Sequence, residues 1–232
     1  WGYSGFAIKT NGTLWAWGKN SAGQLGIGNT QAQTAPVQVG ADMDWKQVAA
    51  GCSSVLALKT DGSLWGWGFN MYSELFGHEG KQPSPVRLGS ETDWEQVVVI
   101  DFRAYAVKKD GTLWAWGDNA NNLLGFNTPT EEETTAEGNP VEVVTVPQIT
   151  APTHVTSIEG KVLTISGCEN TLSVATGTDG VIEKVWMLGS NTDGALGDGK
   201  GLGNGNKDIP FAKVPVHPSL KSSLKFAGMS SG

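Results

Sequence analysis

At 232 residues, 39% of them hydrophobic, the chain can bury a sizeable core, either as one large domain or as a run of small repeats. Its net charge of −7, from 16 basic and 23 acidic residues, excludes a general DNA-wrapping surface, because phosphate neutralisation needs clustered lysine and arginine. Glycine is frequent, 32 residues or about twice the usual ~7%, which favours turns over long helices, and no apolar run approaches the ~18 residues of a membrane span.

The chain opens on Trp1-Gly2-Tyr3, with neither an initiator methionine nor a signal sequence, and reads as an excerpt of a longer product or a processed one. Two alternating runs follow, FAIKT and TLWAWG, around Asn11-Gly12. The phrase returns as TDGSLWGWGFN at 60–70 and KDGTLWAWGDN at 109–119, a period of about 50 residues that marks a repeat architecture. A degenerate fourth copy keeps Asp179-Gly180, Trp186 and the closing Gly189-Ser190-Asn191. Asn-Gly and Asp-Gly supply positive φ angles, so Asn11-Gly12, Asp61-Gly62, Asp110-Gly111 and Asp179-Gly180 predict type I′ hairpins. The same turn geometry, rather than glycosylation, accounts for the sequon Asn11-Gly12-Thr13.

Side chains at i and i+2 of a strand share a face. Trp15/Trp17, Trp65/Trp67 and Trp114/Trp116 therefore share one face, opposite Leu14/Ala16, Leu64/Gly66 and Leu113/Ala115. The preceding strand carries Phe6/Ile8, Leu56/Leu58 and Tyr105/Val107 on one side and Gly5/Ala7, Val55/Ala57 and Ala104/Ala106 on the other. Neither face is polar, so each sheet must be covered on both sides. The tryptophans are expected as dry packing between sheets, seated on small residues of the next sheet. The phrases WKQVAAG and PVQV supply two further strands, and a leucine follows each closing asparagine by five positions, at Leu25, Leu75, Leu124 and Leu196. The expected fold is an all-β propeller of about four tandem repeats of four-stranded blades. The repeats run over about 1–50, 51–99, 100–166 and 167–227, with a further strand starting at 228–232. The stretch 141–166 is read as extra strand-like material within the long third repeat.

These phrases resemble the regulator-of-chromosome-condensation repeat family: Gly51, the strand Ala57-Leu58-Lys59, Asp61-Gly62, Leu64-Trp65-Gly66-Trp67-Gly68, then Asn20 with GQLG at 23–26. The resemblance covers modules one to three well and module four loosely, and its DGTLWAWG form is similar to the bacterial and phage branch. It departs where the family often has histidine, at Ser4, Ser54 and Arg103. Family propellers usually have seven blades. The final KFAGMSSG matches QVAAGCSS of module two, so the chain is either a small closed ring or a window on a longer array.

Chemistry-bearing motifs are sparse. GALGDGKG at 194–201 has phosphate-loop spacing but continues with Gly201 where Ser or Thr is needed, and no helix pattern follows. Asp198, Asn204, Asn206 and Asp208 lack the offsets of a calcium loop. His78, His154 and His217 stand singly, and Cys52 and Cys168 read as buried free thiols. No catalytic, cofactor or metal residues are assigned. Candidate partner-binding residues lie in the two longest insertions, 127–140 and 197–210: Glu131, Glu132, Glu133, Glu137, Lys200, Lys207 and Asp208. The aromatics outside the packing set are Tyr72, Phe102, Phe126 and Phe211.

The expectation is a non-enzymatic scaffold for protein–protein interaction, without nucleic-acid binding or membrane insertion. It is read as a virion appendage or bacterial surface component, extracellular or on a virion rather than cytoplasmic. The resemblance also implies two alternatives: nucleotide exchange on a small GTPase, and inhibition of a secreted enzyme such as a β-lactamase.

Overall fold

The computed structural model describes residues 3–120, 123–126, 148–167 and 171–189, with the backbone alone of 132–134, 140–142, 168 and 209–214. The strands form consecutive antiparallel sheets. The first blade is β1 (Ser4–Ile8), β2 (Leu14–Gly18) and β3 (Gln33–Gln38), three strands among the described residues. The second is β4 (Trp45–Ala50), β5 (Ser54–Lys59), β6 (Leu64–Asn70) and β7 (Gly80–Arg87). The third takes β8 (Trp94–Ile100), β9 (Arg103–Lys108) and β10 (Leu113–Asp118), then skips a separate hairpin, β11 (Glu132–Thr134) with β12 (Pro140–Glu142), and closes with β13 (Gln148–His154). The fourth is β14 (Val162–Cys168), β15 (Thr171–Thr178), β16 (Val181–Gly189) and β17 (Ile209–Val214). This is the all-β propeller architecture expected from the repeats.

The stretch read as extra material, 141–166, is extra only at its start, where Val141 and Glu142 belong to the separate β11–β12 hairpin. From 148 on it supplies the last strand of blade three and most of the first strand of blade four. Its roles are masked in the sequence because it lacks both the tryptophan of WKQV and the proline-valine phrase.

Three of the four hairpin turns also differ from expectation. Gly12, Gly62 and Gly111 have φ of 80°, 86° and 86°, but Asn11, Asp61 and Asp110 are not left-handed. Each loop is closed by Gly12 N donating to Lys9 O at 2.8 Å and Lys9 N to Thr13 O at 2.9 Å, with the same pair at Lys59/Gly62 and Lys108/Gly111. That is the three-residue loop ending in a left-handed glycine. The side chain before the glycine holds the residue after it: Asp61 Oδ1 accepts Ser63 N at 2.8 Å and Ser63 Oγ at 2.6 Å. Only Asp179-Gly180 has two positive φ angles, 51° and 77°, and closes the expected two-residue turn.

The seams between blades form the core. The leucine face of one blade meets the tryptophan face of the next: Leu14, Ala16, Leu25 and Val39 pack with Trp45, Val55, Ala57 and Trp67. Leu56, Leu64, Leu75 and Leu88 meet Trp94, Ala104, Ala106 and Trp116 in the same way. The small residues do more than cover the next sheet, because register puts them beside the rings within their own sheet. Gly5 lies opposite Trp17, Ala57 opposite Trp65 and Ala104 opposite Trp116.

In the second and third phrases the two tryptophans are not equivalent. Trp67 and Trp116 are 0% exposed, and each indole N–H donates to a carbonyl of the preceding module, Gln24 O at 2.9 Å and Glu74 O at 2.8 Å. Trp15, Trp65 and Trp114 are half-buried, a correction to the wholly dry packing expected of them. Their N–H groups bond Thr13, Ser63 and Thr112 of their own turns at 2.8–3.0 Å. Lysines lie over them: Lys59 is 4.5 Å from the Trp65 ring and Lys108 4.7 Å from that of Trp114.

First strands of successive blades are joined by glutamine. Gln47 donates to Val97 O at 2.9 Å and accepts from Val97 N at 3.0 Å. Gln96 repeats this on β14, with Leu163 O at 2.8 Å and Ile165 N at 3.1 Å. A side-chain amide thus stands in for a strand's peptide group and pins blade two to blade three and blade three to blade four.

Candidate interaction surface

One end of the blades carries the hairpin turns. The other carries the loops that follow the LWxWG strands; in sequence the two long insertions come after β10 and after β16. In the first three blades the loop is stapled by the asparagine that closes the phrase. Asn20 Oδ1 accepts Leu25 N at 2.9 Å, Asn70 Oδ1 accepts Leu75 N at 3.0 Å and Asn119 Oδ1 accepts Leu124 N at 2.9 Å. This explains the fixed five-residue spacing, while Leu25, Leu75 and Leu124 plug the seam at 0% exposure. The Trp67 and Trp116 bonds tie the first two of these loops to the following blade and hold their backbone in place.

On this end Tyr72, from the second blade's loop, meets Phe102, from the turn between β8 and β9, with ring centroids 4.9 Å apart. Both rings are half-buried, and neighbouring Met71 is 49% exposed. Tyr3 of the first blade, 73% exposed, occupies the turn position matching Phe102. The Tyr72–Phe102 pair therefore bridges two blades with apolar surface exposed beside it. Phe126 instead packs partly buried at the seam of blades three and four, and Phe211 lies on β17 with its side chain outside the described residues.

Beneath the pair lies a small polar cluster. Glu74 is fully buried, accepting Tyr72 N at 2.8 Å and Ser54 Oγ at 3.4 Å, and burial raises its carboxyl pKa. Gln24 occupies the matching position in the first module and accepts Ala22 N at 2.8 Å. Cys52 is half-buried rather than buried, and its thiol is pushed up to about 11 by burial and by Asp101, whose Oδ1 it meets at 3.4 Å. A thiol so held is a poor nucleophile. Ser73 and Asp101 shape these turns with φ of 67° and 52°.

Of the acidic and basic candidates, Glu132 and Glu133 lie on β11, paired with Glu142 and Val141. Glu131, Glu137, Lys200, Lys207 and Asp208 lie outside the described residues, as do Asp198, Asn204, Asn206 and His217. His78 Nε2 sits 3.2 Å from Arg87 O, and His154 stacks on Trp114 at 5.4 Å. Among the described residues no helix is long and apolar enough to cross a membrane. Met71 and the Glu74–Cys52–Asp101 cluster have no sequence signal beyond departing from the repeat consensus.

Residues 11–58 match the family model of the regulator of chromosome condensation (RCC1) repeat. Comparison with curated proteins gives no match. The fold is similar to the crystal structure of human WBSCR16, with 19% identity over 92% of this chain and 51% of that one, TM-score 0.70. It is similar also to yeast RCC1 (Prp20) bound to Kap60, at 16% identity over 92% and 47%, TM-score 0.69. Prp20p from Saccharomyces cerevisiae, described with its binding to Gsp1p and histones, matches at 16% over 92% and 48%, TM-score 0.70. The chain thus spans about half the length of these solved structures.

Proposed function

We propose that this chain is a non-enzymatic propeller scaffold that binds another protein through its loop end. The observation that carries the reading is the Tyr72–Phe102 pair, held across two blades on loops that Asn70, Trp116 and Glu74 make rigid, with Met71 exposed beside it. Aromatic and methionine side chains on a preorganised backbone are the usual anchors of protein interfaces. The fold of yeast RCC1, whose structures are described with protein partners, supports the same reading. An exposed setting, on a bacterial surface or virion appendage, fits the acidic charge and the DGTLWAWG form of the repeat.

The test is affinity capture from the source organism with the wild-type chain and with a Tyr72→Ala/Phe102→Ala variant of unchanged melting behaviour. A partner retained by the wild type and lost by the variant supports the reading, and equal retention overturns the assignment to this end. Accelerated nucleotide release from a small GTPase, or inhibition of a β-lactamase, replaces it with one of the other activities.

A further inference from the structure

The seam between blades three and four holds a pocket of about 260 Å³. Trp45, Trp94 and Val162 are the same position of the repeat. Each begins a first strand, each is followed by the same bulge in pairing, and each donates its N–H to the glycine carbonyl of the preceding turn: Gly12 at 3.1 Å, Gly62 at 3.2 Å and Gly111 at 2.9 Å. In the first two seams the indole fills the space between a leucine and the aliphatic residue bonded to it, Leu14 with Val39 and Leu64 with Leu88. In the third, Leu113 and Val155 form the same bonded pair at 2.8 Å, but the ring is gone. Val162 leaves a space whose aliphatic wall is Leu113, Val155, Ile158 and Val162 and whose polar wall is Asp110 and Thr112 with exposed His154 and Lys161.

From this we infer that the pocket accepts the indole of a tryptophan on a partner chain. The molecule itself displays the fit twice: the corresponding volume elsewhere is occupied by a chain-borne indole, edge-on to its neighbours at 6.1 Å and under a lysine ammonium. Blade four has Thr176 where Lys59 and Lys108 stand, and Lys161 lies on the pocket wall instead. A lysine there can cover an incoming ring as the other two cover theirs. Aliphatic side chains on one part of the wall, with Asp110, Thr112, His154 and Lys161 on the rest, suit an indole, which is apolar over most of its surface and carries one N–H donor. At just under the ~300 Å³ where small-molecule sites begin, the pocket is sized for a side chain. The inference rests on the protein-interaction reading, at a place away from Tyr72 and Phe102.

The test is a titration of the ¹³C-methyl-labelled chain with N-acetyltryptophanamide. Saturable shifts confined to the methyls of Leu113, Val155, Ile158 and Val162, with Kd on the order of 1 mM, are expected. Val162→Trp restores the repeat residue and weakens binding at least tenfold. Ile158→Trp closes the same space from its edge and gives the same answer if Val162→Trp does not fold. No saturable shift, equal binding by both folded variants, equal binding of cyclohexanol, or binding of free indole without the acetylated amide each overturn the proposal. The titration needs no partner, so its failure leaves the Tyr72/Phe102 capture result standing, and the reverse holds.

Discussion

The seam between blades two and three and the seam between blades three and four use one backbone plan with different fillings. Both have the turn-glycine carbonyl bonded to the incoming strand and the glutamine clamp to the next first strand. Only the former has two indoles packed on a third, Trp94 against Trp114 and Trp116 at 6.1 and 6.2 Å. In the latter Val162 replaces the first, Leu188 takes the buried position of Trp116, and Trp186 alone remains, its N–H on Thr176 at 3.2 Å. Backbone bonds therefore define the blade, and the tryptophans set how full each seam is.

The largest break in this comparison is expected from Trp116→Ala. It removes a fully buried ring and strands the Glu74 carbonyl, costing about 3–5 kcal/mol, read from urea unfolding. Val162→Ala, at a seam already underfilled, costs only about 1 kcal/mol in the same measurement. Gln96→Ala cuts both clamp bonds to β14 and costs about 1–2 kcal/mol, and Gln47→Ala the same at β4 and β8, since the clamp is common to both seams.

A smaller, pH-dependent effect is expected at Glu74. Burial raises its folded pKa, so the stability linked to it is present below its ordinary value of 4.5 and lost as pH rises through the folded pKa. Glu74→Gln, which copies Gln24, therefore raises the unfolding midpoint at pH 7, and the gain shrinks toward zero as pH falls below 4.5. The smallest effect is that of Lys108→Met, which removes a partly exposed ammonium from two rings and costs less than about 1 kcal/mol.

The hairpins, the all-β propeller class and the asparagine–leucine spacing of the first three repeats were legible because each recurs in the chain with the same residues. What escaped reading did so for physical reasons. A left-handed glycine serves a two-residue and a three-residue loop alike, so Asp179-Gly180 and Asp110-Gly111 look the same in sequence and differ in φ. The last strand of blade three, QITAPTH, keeps the pairing of its counterparts without their proline-valine phrase. Tyr72 and Phe102 were separable as aromatics outside the packing pattern, but their contact depends on the approach of two blades. The pocket at Val162 is an absence, visible only once register shows which tryptophan is missing.

The near-identity of the first two seams carries a cost during folding. Blades two and three present interchangeable indole faces, so the leucine face of blade one has two good mates within one chain and more in a neighbouring chain. Swapped dimers and mis-stacked intermediates are the characteristic errors of such arrays. Blade four, with one tryptophan where blades two and three have three each, competes poorly for those mates, and its irregularity acts as an address label against mis-stacking.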